Sequence, residues 1–201
     1  DGITLPATEH LVLSDLNPVL SLSPDGTRMV YVGSDGISQQ LYVRQVDDDQ
    51  SRPIPGTMGA RHPFFSPDGK FVGFFAGGKL KKTSVAGGDV TILADAPGPR
   101  GAHWGADDTI IYAPTTDAGL FMVSTSGGSS RRVTRVNKEK ELGHRWPVYL
   151  PDGKTLLYTA WDRDSSQNRI VIRSLETGEE KELINGVTFG RYVTTGHLLY
   201  A

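Results

Sequence analysis

The chain has 201 residues, with 21 Lys plus Arg against 23 Asp plus Glu and a formal charge of −2. That balance excludes the basic face of a nucleic-acid binder and the polybasic stretch of a membrane-surface protein. Cysteine is absent, which excludes disulfides, thiolate metal sites and a cysteine nucleophile.

Asp1–Thr4 carries neither the basic nor the apolar region of a signal peptide. No apolar run reaches about 18 residues, so no membrane insertion is expected of this segment. From Leu22 the chain repeats itself. Leu22-Ser23-Pro24-Asp25-Gly26, Phe65-Ser66-Pro67-Asp68-Gly69, Trp104-Gly105-Ala106-Asp107-Asp108 and Leu150-Pro151-Asp152-Gly153 align, with a degenerate fifth copy at Val193-Thr194-Thr195-Gly196. The anchors Asp25, Asp68, Asp107, Asp152 and Thr195 stand 43, 39, 45 and 43 residues apart. A period of roughly 40 to 45 residues is that of a four-stranded propeller blade.

Each anchor leads into a short apolar run: Met29–Val32, Phe71–Phe75, Ile110–Tyr112, Leu156–Tyr158 and Leu198–Tyr200. Second runs follow at Leu41–Val43, Leu80–Lys82, Leu120–Val123 and Ile170–Ile172, and third runs at Arg52–Ile54, Val90–Leu93, Arg131–Thr134 and Glu182–Ile184. With the run before each anchor, every period offers four strands bounded by Gly, Pro, Asp or Ser. No window keeps helical spacing, and Val136–Leu142 reads as a charged connection. The fold class is therefore all-β, a β-propeller of four complete four-stranded blades plus a partial fifth, in a single domain or fragment over 1–201.

The Pro-Asp-Gly step has a mechanical reading. Pro presets φ early in the turn, Asp accepts backbone N–H groups ahead of it, and Gly supplies the positive φ that closes it. The step joins the innermost strand of a blade to the next. Gly87-Gly88, Gly127-Gly128 and Glu176-Thr177-Gly178 read as turns between third and fourth strands. The repeated Asp is thus a turn residue rather than a ligand. Asp47-Asp48-Asp49 and Asp162 with Asp164 read as solvated outer-turn acids.

The Ser-Pro-Asp-Gly anchor, the Tyr- or Phe-ended strand and the Leu-Tyr-Val strand resemble the TolB-like, WD-like propeller repeat of bacteria, over residues 15 to 201. Trp161-Asp162 is a single Trp-Asp pair, out of phase with the blades. The run Gly73–Lys81 and His144-Arg145-Trp146-Pro147 before Leu150-Pro151-Asp152-Gly153 resemble propellers that follow bacterial serine/threonine protein kinase domains. The resemblance implies an extracytoplasmic location and a partner-docking or sensor role. Two arrangements stay open. One is an arc of a larger ring, whose strand edge at Leu198–Ala201 would self-associate or pair with another chain. The other is a closed five-bladed ring completed by Ile3–Leu5 and His10–Leu13.

No Gly-x-Ser-x-Gly, phosphate-cradling loop or His-Glu-x-x-His occurs. No catalytic role, metal or cofactor is expected of this chain. One constellation stands out. Seven residues before the anchors of three successive blades lie Arg61, Arg100 and Arg145, each with a histidine nearby: His62, His103 and His144. Arg191 falls close to the same phase, while the first blade has Asn17-Pro18 there. In a propeller this phase lies beside the channel mouth, where guanidiniums would attract an anion or an acidic peptide. The plainer alternative is that these arginines bond carbonyls of the neighbouring blade, and that the histidines pack. Trp104 and Trp146 are expected between blades, and Trp161 at a strand end.

The leading function is a non-catalytic binding or sensor scaffold that recognises a protein or peptide partner. The alternative is the substrate-gating propeller of a prolyl-oligopeptidase-like serine hydrolase whose catalytic domain lies outside this chain. A propeller enzyme with a channel-bound metal needs several acids or histidines in one inner phase, where this sequence puts arginine.

Overall fold

The computed structural model describes residues 10, 11, 19–34, 36–48, 50–193 and 195–201. Ile3–Leu5, Leu13, Asn17-Pro18, Asp49 and Thr194 lie outside them. The chain divides into two compact units, residues 1–95 and 96–201.

In the first unit one sheet holds β1 (His10–Leu11), β2 (Leu20–Leu22), β3 (Arg28–Ser34), β4 (Gln39–Gln45) and β5 (Ser51–Pro53). A second sheet runs β6 (Arg61–Phe65), β7 (Phe71–Ala76), β8 (Lys79–Ser84) and β9 (Thr91–Asp95) in chain order. In the second unit β10 (Ala102–Trp104), β11 (Thr109–Tyr112), β12 (Phe121–Ser124) and β13 (Arg131–Arg132) form the third sheet. The fourth holds β14 (Glu141–Tyr149), β15 (Thr155–Asp162), β16 (Arg169–Ser174) and β17 (Glu180–Asn185), and β18 (Gly190–Val193) pairs β19 (His197–Tyr200). Every pairing is antiparallel between chain neighbours except that of β1. This is the four-stranded blade of a β-propeller.

His10 pairs Ser34 and Leu11 pairs Gly33, so these residues belong to the first blade and do not complete the fifth. The reason is length. β2 covers only Met29–Tyr31 of the seven-residue β3 and leaves its far end for β1. The connection read over Val136–Leu142 is shorter than expected, because β14 begins at Glu141 opposite Asp162.

The anchor turns follow the predicted chemistry. Asp25, Asp68 and Asp152 accept the N–H of Thr27, Lys70 and Lys154 at 3.0, 3.0 and 2.9 Å. Gly26, Gly69 and Gly153 take φ of 72°, 68° and 65°. Ser66 donates to Asp68 at 2.6 Å and accepts from Phe71 N at 2.9 Å, which locks strand, turn and strand together. In the third blade Asp108 stands in for the glycine at φ 58°.

The apolar runs are continuous rather than alternating because both faces of a middle strand are covered. In the first unit Val30, Val32, Leu41 and Val43 pack with Phe65, Val72 and Phe74 of the next blade. The opposite face carries Met29, Tyr31 and Tyr42, the two tyrosine rings stacked 5.8 Å apart. The second unit repeats the scheme with Ile111, Leu120 and Met122 against Tyr149, Leu156 and Tyr158. Each such side chain contributes about 1.5–3 kcal/mol on full burial.

Candidate functional site

The arginine phase coincides with a backbone device. Between Arg61 and Phe64 the β6–β7 ladder gains one residue, since the partners Phe75 and Gly73 are only two apart. The same step separates Arg145 and Val148 from Thr159 and Leu157. In the third blade Arg100 N donates to Ala113 O at 3.1 Å and Ala113 N to Gly101 O at 3.0 Å, again two residues facing one. These are β-bulges, which bend a strand and re-aim its side chains. The residue after each arginine takes positive φ: His62 49°, Gly101 93° and Trp146 49°. A bulky L-residue there is strained by about 1–3 kcal/mol, so the bulges survive only because packing holds them.

In the first unit Arg61 is exposed at the start of β6, and His62 is buried edge-on to Phe75, ring centroids 5.7 Å apart. In the second unit the bulges of successive blades are tied directly, with Trp146 N donating to Arg100 O at 2.8 Å. A Cβ on Gly101 would lie 3.1 Å from Trp146 Cα, so glycine permits this approach.

Arg145 is 8% exposed, and its side chain makes no hydrogen bond or ion pair with any described residue. Its guanidinium lies 3.9 Å from the ring centre of Trp161. Trp146 in turn stands edge-on to Trp161 and to Phe189, at 5.6 Å each. Desolvation, together with the positive charge of Arg100, lowers the Arg145 pKa to about 10. Arg100 donates through Nη1 to Pro99 O at 2.8 Å, while its Nε, the Nε of Arg145 and the indole N–H of Trp146 are buried without an acceptor. The anticipated bond from an arginine to a neighbouring blade's carbonyl is absent at Arg145 among the described residues.

His103 takes a different part. Its Nδ1 accepts the N–H of Tyr149 at 3.3 Å, and desolvation, aided by the charge of Arg191, lowers its pKa to about 4. It is a neutral brace between β10 and β14. Arg191 itself is exposed on β18.

His144 sits in a network that the arginine phase did not reveal. Its Nε2 lies 3.1 Å from Glu141 Oε2 and its Nδ1 2.6 Å from Thr134 Oγ1. A carboxylate only accepts, so Nε2 carries the proton. Thr134 Oγ1 also accepts Leu120 N at 2.8 Å, which ties the ring to the start of β12. The ring is 3% exposed, and both its nitrogens are engaged. Arg169 bonds Glu141 at 2.6 Å and Asp162 at 3.3 Å, and its Nε is 3.0 Å from Glu182 but off the angle of a hydrogen bond. Burial alone would raise the Glu141 carboxyl; bonds from His144 and Asn137 N and the charge of Arg169 hold it below its usual value. Asp164 caps the short 3₁₀ turn Ser165–Gln167.

The Trp161 contact depends on the extra residue between Arg145 and Val148. Arg145 pairs Thr159, which puts Trp161 diagonally opposite on the same face.

Neither a protein-family model nor a curated protein sequence matches the chain. Solved structures do. TolB of Agrobacterium tumefaciens is similar at 18% identity and a TM-score of 0.71 over 83% of this chain and 66% of its own. Hydrazine synthase of Kuenenia stuttgartiensis is similar at 16% identity and 0.70 over 94% and 57%. The Cps50 (Swd1) β-propeller domain of Myceliophteria thermophila is similar at 16% identity and 0.65 over 95% and 65%. The chain thus has the TolB-like β-propeller fold and spans less than two thirds of these structures' lengths. No helix among the described residues is long and apolar enough to cross a membrane.

Proposed function

We propose that the chain is a non-catalytic recognition scaffold that binds an acidic segment of a protein partner on the face of the second unit where the Arg100 and Arg145 bulges lie. The TolB-like fold supports a protein-binding role and, by resemblance, an extracytoplasmic setting. The site is centred on Arg100 and Arg145, with Arg191 adding charge and His103 bracing the wall. His144 positions Arg145 from the preceding residue. The observation that carries the reading is Arg145: a side chain largely buried at 8% exposure of the residue, its Nε without an acceptor, under the positive charge of Arg100 and with no acidic partner among the described residues. An isolated buried charge is costly unless a partner neutralises it. An arriving carboxylate supplies the missing acceptor and relieves the repulsion between the two cations.

The test is titration of the 201-residue chain with an acidic peptide, followed by Trp fluorescence. Arg145→Gln is expected to weaken binding at least tenfold and to reduce its salt dependence. Unchanged affinity and salt dependence in a folded Arg145→Gln variant would overturn the reading.

A further inference from the structure

Around Arg145 the second unit presents more than charge. Trp161 and Phe189 are both partly exposed, and Trp146 links them edge-on. The guanidinium lies over the Trp161 ring. With 8% of its surface accessible, Arg145 is reached by a slim end group and not by the flank of a chain. The site therefore joins a narrow cationic point to an open aromatic wall. A ligand that satisfies both carries a carboxylate and, within a bond or two of it, an apolar group. An Asp or Glu within a chain meets the cationic point alone, because its carboxylate stands on methylenes and the nearest large apolar group belongs to another residue.

We infer that Arg145, Trp161 and Phe189 capture the free C-terminus of a protein partner ending in an aromatic or large apolar residue. Its α-carboxylate meets the Arg145 terminal nitrogens beside Arg100, and its last side chain lies on Trp161 and Phe189. This rests on the recognition function proposed above and narrows it to one end of one class of peptide.

The experiment uses the 201-residue chain and four octapeptides of otherwise identical polar sequence. One ends in Phe with a free carboxylate and one in Phe amide. A third ends in Ser with a free carboxylate, and a fourth carries an internal Asp and a C-terminal Phe amide. The free-acid Phe peptide is expected to bind at least tenfold tighter than its amide and several-fold tighter than the Ser peptide. The internal-Asp amide should bind more tightly than the plain amide and several-fold more weakly than the free-acid Phe peptide. Arg145→Gln should abolish the acid–amide difference, and Trp161→Ala should abolish the Phe–Ser difference while keeping the acid–amide one. Equal binding of acid and amide by wild type overturns the inference. If the internal-Asp amide binds as tightly as the free acid, the acidic-partner function stands and the C-terminal reading falls. If no peptide binds, both fall. Thermal midpoints of the variants confirm that each is folded.

Discussion

Phe64 lies directly across Gly73, so that a Cβ on Gly73 would stand 2.2 Å from Phe64 Cζ. The two are register partners in the β6–β7 ladder, just past the Arg61 bulge. Gly73 is the gap that lets the Phe64 ring fold over the strand. Gly73→Ala is expected to cost about 1–3 kcal/mol through overpacking. Phe64→Leu should recover part of that in the double variant, because neighbours in contact are not additive. Urea midpoints of the two single variants and the double measure the coupling; strict additivity would disprove the contact's role.

His103 gives the chain a pH dependence of definite sign. Its folded pKa is about 4 against an ordinary 6.5. The folded state therefore binds fewer protons than the unfolded state between those values. Its contribution is fully present above pH about 6.5, declines as pH falls from there towards 4, and is gone below. The loss is no more than about 3 kcal/mol. His103→Gln should flatten stability over this window. The carboxylates behave oppositely in origin but alike in direction. Asp25 is held at about 2, first by Ser23 and then by Thr27, so its contribution is lost only as pH drops below its usual value near 3.8. Chemical denaturation at half-unit pH steps checks both, and a His103→Gln profile parallel to wild type would refute the assignment.

Much of this architecture was legible before any coordinates. The blade period, the strand runs and the turn roles of Asp25, Asp68 and Asp152 follow from local chemistry that each turn must satisfy alone. Counting back from those anchors also located Arg61, Arg100 and Arg145. What counting could not reveal was depth. The positive φ of His62 and Trp146 comes from one inserted residue per ladder, which leaves no mark in composition. The His144 network joins Glu141 to Arg169, 28 residues and two strands away, so only register brings them together. The role of Trp161 has the same origin, since it depends on where Thr159 pairs.

Asp108 is the one place where an anchor turn of the described residues departs from glycine. It adopts φ 58° where Gly26, Gly69 and Gly153 stand between 65° and 72°. A side chain in this left-handed region is disfavoured, although Asp tolerates it better than most. Asp108→Gly should therefore raise stability by up to about 1 kcal/mol, less the entropy that glycine restores to the unfolded chain. Asp108→Val, β-branched and without a local hydrogen bond, should lower it by about 1–2 kcal/mol. Thermal midpoints decide, and a Val variant as stable as wild type would show that the turn relaxes freely.

Arg145 sets stability against function. The residue is 8% exposed, its side chain lacks an acid among the described residues, and the charge of Arg100 bears on it. Replacing it with Met keeps a long flexible side chain over Trp161 and removes the buried charge. Relief of desolvation is worth about 1–4 kcal/mol by analogy with buried ion pairs replaced by apolar groups. Loss of the stack on Trp161 returns about 0.5–2 kcal/mol. The balance predicts a thermal midpoint about 2–4 °C higher for Arg145→Met, together with loss of peptide binding. Residues that weaken a fold while equipping a site are expected where binding supplies the missing partner. A midpoint that falls instead would make Arg145 a structural residue and remove the observation on which the recognition function stands.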